Sequence, residues 1–281
     1  MDEKYDLRHF YDFCTQTFEH SVWRDFLKHW PHQKEMEPYS DGKNRSLEDP
    51  GRFGSYLIGY KSNQDLAKIE SAKRETIIDF ACNQLQPVIK RKLTEYFPLI
   101  QTRYGSRLSQ LDLDVFAVMV NAQREINVRV HPENPSMILS GIVYIVEPGF
   151  EYPTTTLYRC NDGTFSDCGN TFFDVENFRE IFSPPSIDNS MLTLAKTDRS
   201  FHGVPKQQLP SNKFRRTVNW HVRLTDACFQ NLYGVKNFRD LDNNNRQFMK
   251  DMRADVNFDE PLLPDSKRII RDAFKHLPNN Q

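Results

Sequence analysis

The residues able to do chemistry in this 281-residue chain gather in two short stretches. One is His131-Pro132-Glu133, ahead of a run rich in Val, Ile and Tyr. The other is Ser200-Phe201-His202-Gly203-Val204, about seventy residues on, followed by Arg215-Arg216-Thr217-Val218-Asn219-Trp220. Two imidazoles and one carboxylate leave half of an octahedron open, and such a donor set suits non-haem iron(II) with further ligands still to come. Residues two apart in a strand share a face. His131 and Glu133 can therefore reach one metal while Pro132 points away, and a residue without an N–H fits a strand end or edge. His202 is the third candidate ligand, delivered by a distant strand that antiparallel packing brings alongside.

Each piece alone is weak. With eight histidines in the chain, an H-x-E tripeptide arises by chance, and either imidazole could be an ordinary strand-end or loop histidine. The joint pattern is what carries weight. Arg215 and Thr217 lie two apart on the strand predicted after His202, where a guanidinium can grip a carboxylate through two parallel hydrogen bonds. Asn219 and His221 continue that face, while Val218 and Trp220 form the other, as in a barrel strand with a pocket on one side.

The elements that must hold these groups are legible in outline. Apolar side chains recur at helical spacing from Tyr5 to Leu27 and again from Asp65 to about Phe97, where Pro87 predicts a split or kink. Residues 38–64, with Pro38, Gly42, Pro50, Gly51 and Gly54, read as a long loop; its part from Pro38 to Tyr60 is a candidate lid. From Leu111 the character changes. Segments 113–120, 125–131, 137–146, 154–159, 190–195 and 215–224 are short, β-branched and aromatic, which predicts a sandwich or barrel. Helical spacing returns after Asp226, most clearly over Ser266–Leu277. The expected layout is one unit over 1–281. It comprises a helical support over 1–110, a β core over 111–225 and a helical extension over 226–281.

Around these residues the chain resembles the Fe(II)/2-oxoglutarate-dependent dioxygenases, particularly their prolyl-4-hydroxylase-like branch. The likeness rests on VHPENPSMILSGIVYIVEPGFEYPTTTLYR (130–159), SMLTLAKTDRSFHGV (190–204) and FRRTVNWHV (214–222). It implies a mainly β fold with flanking helices, a double-stranded β-helix of the jelly-roll or cupin-like kind. It also implies iron ligands at His131, Glu133 and His202. The distal carboxylate of 2-oxoglutarate would fall to Arg215 with Thr217, or to Arg216 if the register is one residue off. Fe(II), 2-oxoglutarate and O₂ would then hydroxylate a C–H bond of a small molecule, releasing succinate and CO₂; desaturation or ring closure would need only a different substrate placement. Candidates for touching substrate are Arg129, Tyr144, Arg159, Asn219 and His221. Two departures from the pattern are Glu133, where Asp is usual, and Thr154-Thr155-Thr156, where a glycine pair is usual and a narrower pocket mouth is expected.

Composition bounds the alternatives. Apolar residues make up 38% of the chain and 21 are Phe, enough for a sizeable core, while 37 basic against 38 acidic side chains give a net charge of −1. No charge block or aromatic platform points to nucleic acid, and no apolar run is long enough to span a bilayer. The amino terminus is polar and acidic, unlike a signal peptide. Five cysteines without CxxC spacing make neither a disulfide framework nor a zinc site. These features predict a soluble, cytoplasmic protein of a reducing compartment, and leave the oligomeric state open. His29-Trp30-Pro31-His32 reads as a helix end with aromatic packing, and Cys160 with Cys168 as two thiols in a hairpin loop. Two other functions fit a similar ligand set: a cupin-like binding protein without catalysis, and a zinc hydrolase.

Overall fold

The computed structural model describes residues 10–38, 52–59, 61–123, 125–162, 172–236, 240–241, 245–252 and 261–277. Its frame is two antiparallel sheets. The larger holds β1 (Tyr11–Cys14), β2 (Glu37–Pro38), β3 (Arg52–Ile58), β4 (Leu113–Gln123), β6 (Met137–Ile145), β9 (Ser190–Ala195) and β11 (Phe214–Leu224). The smaller holds β5 (Glu125–His131), β7 (Thr156–Cys160), β8 (Phe178–Phe182) and β10 (Phe201–Gln208). The larger sheet runs β1-β9-β6-β11-β4-β3-β2 and the smaller β5-β10-β7-β8. From β4 to β11 the chain passes between the sheets in the double Greek-key order of a jelly roll, so the core is a double-stranded β-helix.

β11 shows why the sheet is buried on both sides. Its Val218, Trp220 and Val222 belong to one apolar cluster with Ile89, Leu93, Phe97 and Ile100 of α4 (Gln86–Tyr104), which packs on β6. Arg215, Thr217, Asn219 and His221 alternate onto the opposite face, between the sheets. Ala122, Ile126, Tyr152, Val204 and Leu209 form a separate apolar plug at the end where β4 turns into β5.

The flanking helices follow the predicted spacing with three corrections. The segment Tyr5–Leu27 is not one helix. Tyr11–Cys14 pairs with β9 at the edge of the larger sheet, which satisfies backbone groups that would otherwise be left bare, and α1 (His20–Lys28) begins after it. The predicted loop over 38–64 contains β3, which pairs with β4 and extends the sheet; 39–51 and Tyr60, the rest of the candidate lid, lie outside the described residues. Between Asp65 and Phe97 the pattern divides into α2 (Ser62–Leu66), α3 (Ser71–Phe80), a π turn at Ala81–Leu85, and α4. Pro87 stands in the first turn of α4, where its missing N–H costs least, and the π turn just ahead resets the hydrogen-bond ladder. At the carboxy-terminal side α5 (Asp226–Tyr233), α6 (Arg246–Met252) and α7 (Pro264–Asp272) complete the outer layer. Asp251 of α6 is buried, accepting from the Tyr233 hydroxyl at 2.8 Å and pairing with Arg107, which ties this layer to the end of α4. Trp30, in the His29–His32 stretch, donates its indole N–H to Asn121 at 2.8 Å. Cys168 lies outside the described residues.

Gly141 on β6 is the tightest point of the outer face. It pairs with Trp220, and a Cβ there would lie 2.0 Å from the indole. Gly141→Ala is expected to cost about 3 kcal/mol through overpacking, read as a lower urea midpoint at unchanged slope.

Candidate metal centre

His131 closes β5 and His202 lies at the start of β10, and the two are direct partners in the antiparallel register. Their rings sit 4.5 Å apart between centroids, on the inner side of the smaller sheet. Just past this pair the register shifts, so that Val204 faces Val128. Gly203 makes the shift feasible: a Cβ on it would lie 2.6 Å from the Val128 carbonyl oxygen. The glycine of the S-F-H-G-V block is thus a packing requirement of the bulge that sets the two histidines side by side.

Both imidazoles are fixed by their own backbone. The Nδ1 of His131 lies 2.8 Å from the Arg129 carbonyl, and the Nδ1 of His202 lies 3.1 Å from the Ser200 carbonyl. A carbonyl only accepts, so each Nδ1 carries a proton, which makes Nε2 the atom each ring can offer to a metal. Glu133 Oε1 comes within 3.7 Å of His202 Nε2. One ligand atom from each of His131, Glu133 and His202 lies within 4.8 Å of the others, the one such group among the described residues. This N₂O set, with each Nδ1 anchored on its own backbone, fits a divalent cation that keeps open positions. The expected strand alternation is not how Glu133 gets there. β5 ends at His131, and Glu133 stands in the loop that follows, shaped by Asn134, whose side chain accepts from the Ser136 N–H at 3.0 Å.

Lys196 was not among the residues singled out from the sequence. It is 1% exposed, and its ammonium donates to the Glu133 backbone carbonyl. Its own N–H bonds to the Ile138 carbonyl at 3.0 Å, so one residue links the end of β9 to both sides of the ligand loop. A lysine inside an otherwise strand-like LTLAKTD run is the signal that could have found it, since a charge this deep needs a specific partner.

Away from the histidines, the inner face of the larger sheet carries the candidate anion-binding groups. Arg215 is buried, donates from Nε to the Pro153 carbonyl at 2.8 Å, and lies 5.8 Å from the centre of the Tyr144 ring. Burial beside the apolar plug pushes its pKa down to about 10, so it remains a cation at neutral pH. Among the described residues no acidic side chain pairs with it. The Thr217 hydroxyl is fully buried and has no hydrogen-bond partner there. Tyr144 accepts from the Thr155 N–H at 3.1 Å, and burial raises its pKa, leaving its own proton available to donate. A buried cation without its anion, flanked by two hydroxyls, fits the distal carboxylate of a 2-oxo dicarboxylic acid.

The remaining candidates separate. Arg216 lies on the opposite face, 4.0 Å from Glu147, because it alternates with Arg215. Arg129 does not share the face of His131; the bulge breaks the alternation, and it pairs at the surface with Asp174 at 2.7 Å. Asn219 and His221 line the inner face, with His221 Nδ1 2.9 Å from the Ser140 hydroxyl and its ring stacked on Phe116 at 4.8 Å. Arg159 follows Leu157, the partner of His202, by one alternation step on β7. The three threonines are buried: the Thr154 hydroxyl donates to the Pro184 carbonyl at 2.6 Å and that of Thr156 meets Ser183 at 2.8 Å. They stitch β7 to the chain after β8.

No family model matches the chain, and no curated protein does. Among solved structures it is similar to a prolyl-4-hydroxylase of Pseudomonas putida at 12% identity, covering 77% of this chain and 94% of that one with a TM-score of 0.41. It is also similar to SnoN, a non-heme alpha-ketoglutarate-dependent epimerase of nogalamycin biosynthesis, at 10% identity, 77% of each chain and a TM-score of 0.45. HygX of Streptomyces hygroscopicus, determined with nickel and 2-oxoglutarate, is similar at 9% identity, 76% of this chain, 83% of that one and a TM-score of 0.38. Likenesses this distant bring no chemistry to the chain, which has to be read from its own side chains. No helix among the described residues is long and apolar enough to cross a membrane.

Lys196→Met is expected to weaken divalent-metal binding by about 10- to 100-fold, the usual effect of losing a group that holds a ligand in place. Lys196→Arg should recover part of it. Titration of the metal-free protein with Mn(II), beside a thermal melt of each variant, separates this from simple unfolding.

Proposed function

We propose that this chain is an Fe(II)- and 2-oxoglutarate-dependent oxygenase that hydroxylates a C–H bond of a small-molecule substrate, with release of succinate and CO₂. The observation that carries the reading is a conjunction inside one barrel. His131 and His202 stand as partners on one sheet with Glu133 in the loop after β5, and the inner face of the other sheet carries a buried guanidinium without an acidic partner among the described residues. Either alone has ordinary explanations; the two together match a cation that chelates one end of a dicarboxylate while the protein grips the other.

Each group has a defined task in this reading. His131, Glu133 and His202 would hold the iron, and three protein ligands would leave room for cosubstrate and O₂. Bound iron with 2-oxoglutarate would supply the oxidising power, coupling oxidative decarboxylation of the keto acid to attack on the substrate C–H. Arg215 provides charge and orientation for the distal carboxylate, and Thr217 and Tyr144 supply hydroxyl donors beside it. Lys196 keeps the Glu133 loop in place. Asn219 and His221, further along the same strand, are offered to the substrate, and the helices on either flank of the sequence act as buttresses of the same unit.

The test is succinate formation and O₂ uptake by protein loaded with Fe(II) without air and then given 2-oxoglutarate. Wild type should turn over cosubstrate slowly even without its prime substrate. His202→Ala and Glu133→Ala should each lower the rate at least about 100-fold, since removing a metal ligand removes the reaction centre, whereas Arg216→Met should leave it close to wild type. Stoichiometric zinc retained through anaerobic purification, with no affinity for 2-oxoglutarate, would overturn the reading in favour of a hydrolase; absence of any metal affinity would leave a binding protein.

Separately, 2-oxoglutarate is expected to raise the melting temperature of the Mn(II)-loaded protein by mass action. Arg215→Met should abolish that increment while raising the melting temperature of the ligand-free protein, because it removes a buried charge that lacks its counter-ion. Differential scanning calorimetry with and without cosubstrate measures both.

A further inference from the structure

Beyond Thr217 the inner face of the larger sheet changes character. β11 runs from the plugged end at Arg215 to Leu224, whose N–H bonds at 2.9 Å to the carbonyl of Ser136, in the loop that carries Glu133. Two register rows lead from Thr217 toward that end. One holds Tyr56, Val118, Asn219, Ile142 and Leu192, and the next holds Phe116, His221, Ser140 and Leu194. Neither row contains Asp, Glu, Lys or Arg. Tyr56, Phe116 and His221 are half-buried and form a ledge of rings, with successive centres 6.1 Å and 4.8 Å apart. His221 and Ser140 satisfy one another at 2.9 Å, whereas the amide oxygen of Asn219 is buried without a hydrogen-bond partner among the described residues. Charge returns to this face at its far end, where Arg223 pairs with Asp114 at 3.1 Å, and Lys61 lies 5.8 Å from the centre of the Tyr56 ring.

We propose that these two rows form the substrate ledge and select an uncharged, ring-bearing molecule that hydrogen-bonds the Asn219 carboxamide. This rests on the oxygenase reading above and adds the substrate class to it. An ionised group lying over the ledge would lose its water and find no counter-ion in either row, which is costly in a barrel interior. A flat ring, by contrast, gains from offset or edge contact with the half-buried rings of Tyr56, Phe116 and His221. An amide oxygen left without a partner destabilises the fold, and 2-oxoglutarate, which has no N–H or O–H at neutral pH, cannot donate to it. A donor on the substrate can. The carboxamide presents an acceptor beside a donor, so a ligand amide matches it whichever way it is turned. Asn219 is thereby assigned the specificity for a neutral polar group, and the ring ledge the specificity for its carrier.

The experiment compares four probes of similar shape on the full-length protein loaded with Mn(II) and saturating 2-oxoglutarate: benzamide, N,N-dimethylbenzamide, benzoate and benzamidinium. Relaxation of the probe protons by Mn(II) reports binding near the metal and, against concentration, the affinity; a thermal melt checks each variant. Benzamide should bind at least about 10-fold more tightly than either ion, whose charge would go unpaired. It should also bind about 5-fold more tightly than the dimethyl amide, which lacks the donor. Asn219→Leu should remove that second preference. Asn219→Asp, nearly identical in shape, should turn the preference toward benzamidinium, a switch that a merely structural asparagine would not give. Two outcomes overturn the substrate class: benzamide binding that is absent or indifferent to both Asn219 variants, or tightest binding of benzoate, lost in Arg159→Met, which marks an acidic substrate held from the smaller sheet. Binding of 2-oxoglutarate to the same Mn(II)-loaded protein separates the two readings. If it does not bind, the oxygenase itself is misassigned; if it binds and the probes do not discriminate, only the substrate class falls.

Discussion

The register of β10 against β5 is the constraint from which the site follows. It makes His131 and His202 direct partners across an antiparallel pair, and a slip of one residue would turn one imidazole to the outer side of the sheet. Val130 and Phe201, the neighbours of the two histidines, show what holds the register. They sit on the outer side in a cluster with Tyr158 and Phe178, so the same slip would bring those apolar groups into the polar interior. The bulge after the histidine pair then needs a residue without a side chain, and Gly203 supplies it. Apolar packing on one face thus sets the position of two candidate metal ligands on the other.

The opposite sheet is organised by charge. Arg215 sits beside an apolar plug with a carbonyl for one N–H and no acidic partner among the described residues. A fold that gained nothing from this guanidinium would do better with an apolar side chain, since an isolated buried charge costs several kcal/mol. Its presence is therefore most simply explained by a ligand that supplies the missing anion. In the proposed oxygenase the free protein would carry a local instability that ligand binding removes, which would link cosubstrate affinity to folding stability through the same side chain.

Much of this was legible in the sequence, and the failures have physical causes. Strands 125–131 and 190–195 coincide with the apolar, β-branched segments read from sequence: β9 is buried along its whole length, and β5 keeps Ile126 and Val130 buried while Asn127 and Arg129 are exposed. The candidate ligands and Arg215 stand out through residue types that are costly to bury. The edge strand β1 and the next-to-edge strand β3 were missed. Phe10, Phe13 and Phe18 fit a helical period as well as a strand, and only the free edge of β9 decides between them. At β3 the glycines of the sequence, Gly51 and Gly54, read as a loop, although Arg52–Ile58 pairs with β4 and Gly54 stands opposite Val120. Arg129 was misplaced because alternation holds only in an unbroken ladder, and a bulge is invisible until its partner strand is known. Lys196 could not be assigned at all from sequence, since its partner is a backbone carbonyl sixty-three residues away.

The candidate carboxylate ligand obeys different rules from the histidines. They project from strands, where the pleat fixes direction and reach to within a fraction of an ångström, so neither imidazole could be exchanged for a longer group without moving the sheet. Glu133 projects from the loop beyond β5, and a loop can take up one methylene by small changes in several dihedrals. That freedom would cost precision if nothing limited it. The buried ammonium of Lys196 limits it by holding the Glu133 carbonyl, and Asn134 shapes the turn immediately after. Glutamate in place of the shorter acid is therefore compatible with the same ligand position, provided that the backbone under it is pinned. The chain achieves with a lysine tether what a strand would otherwise do by its pleat.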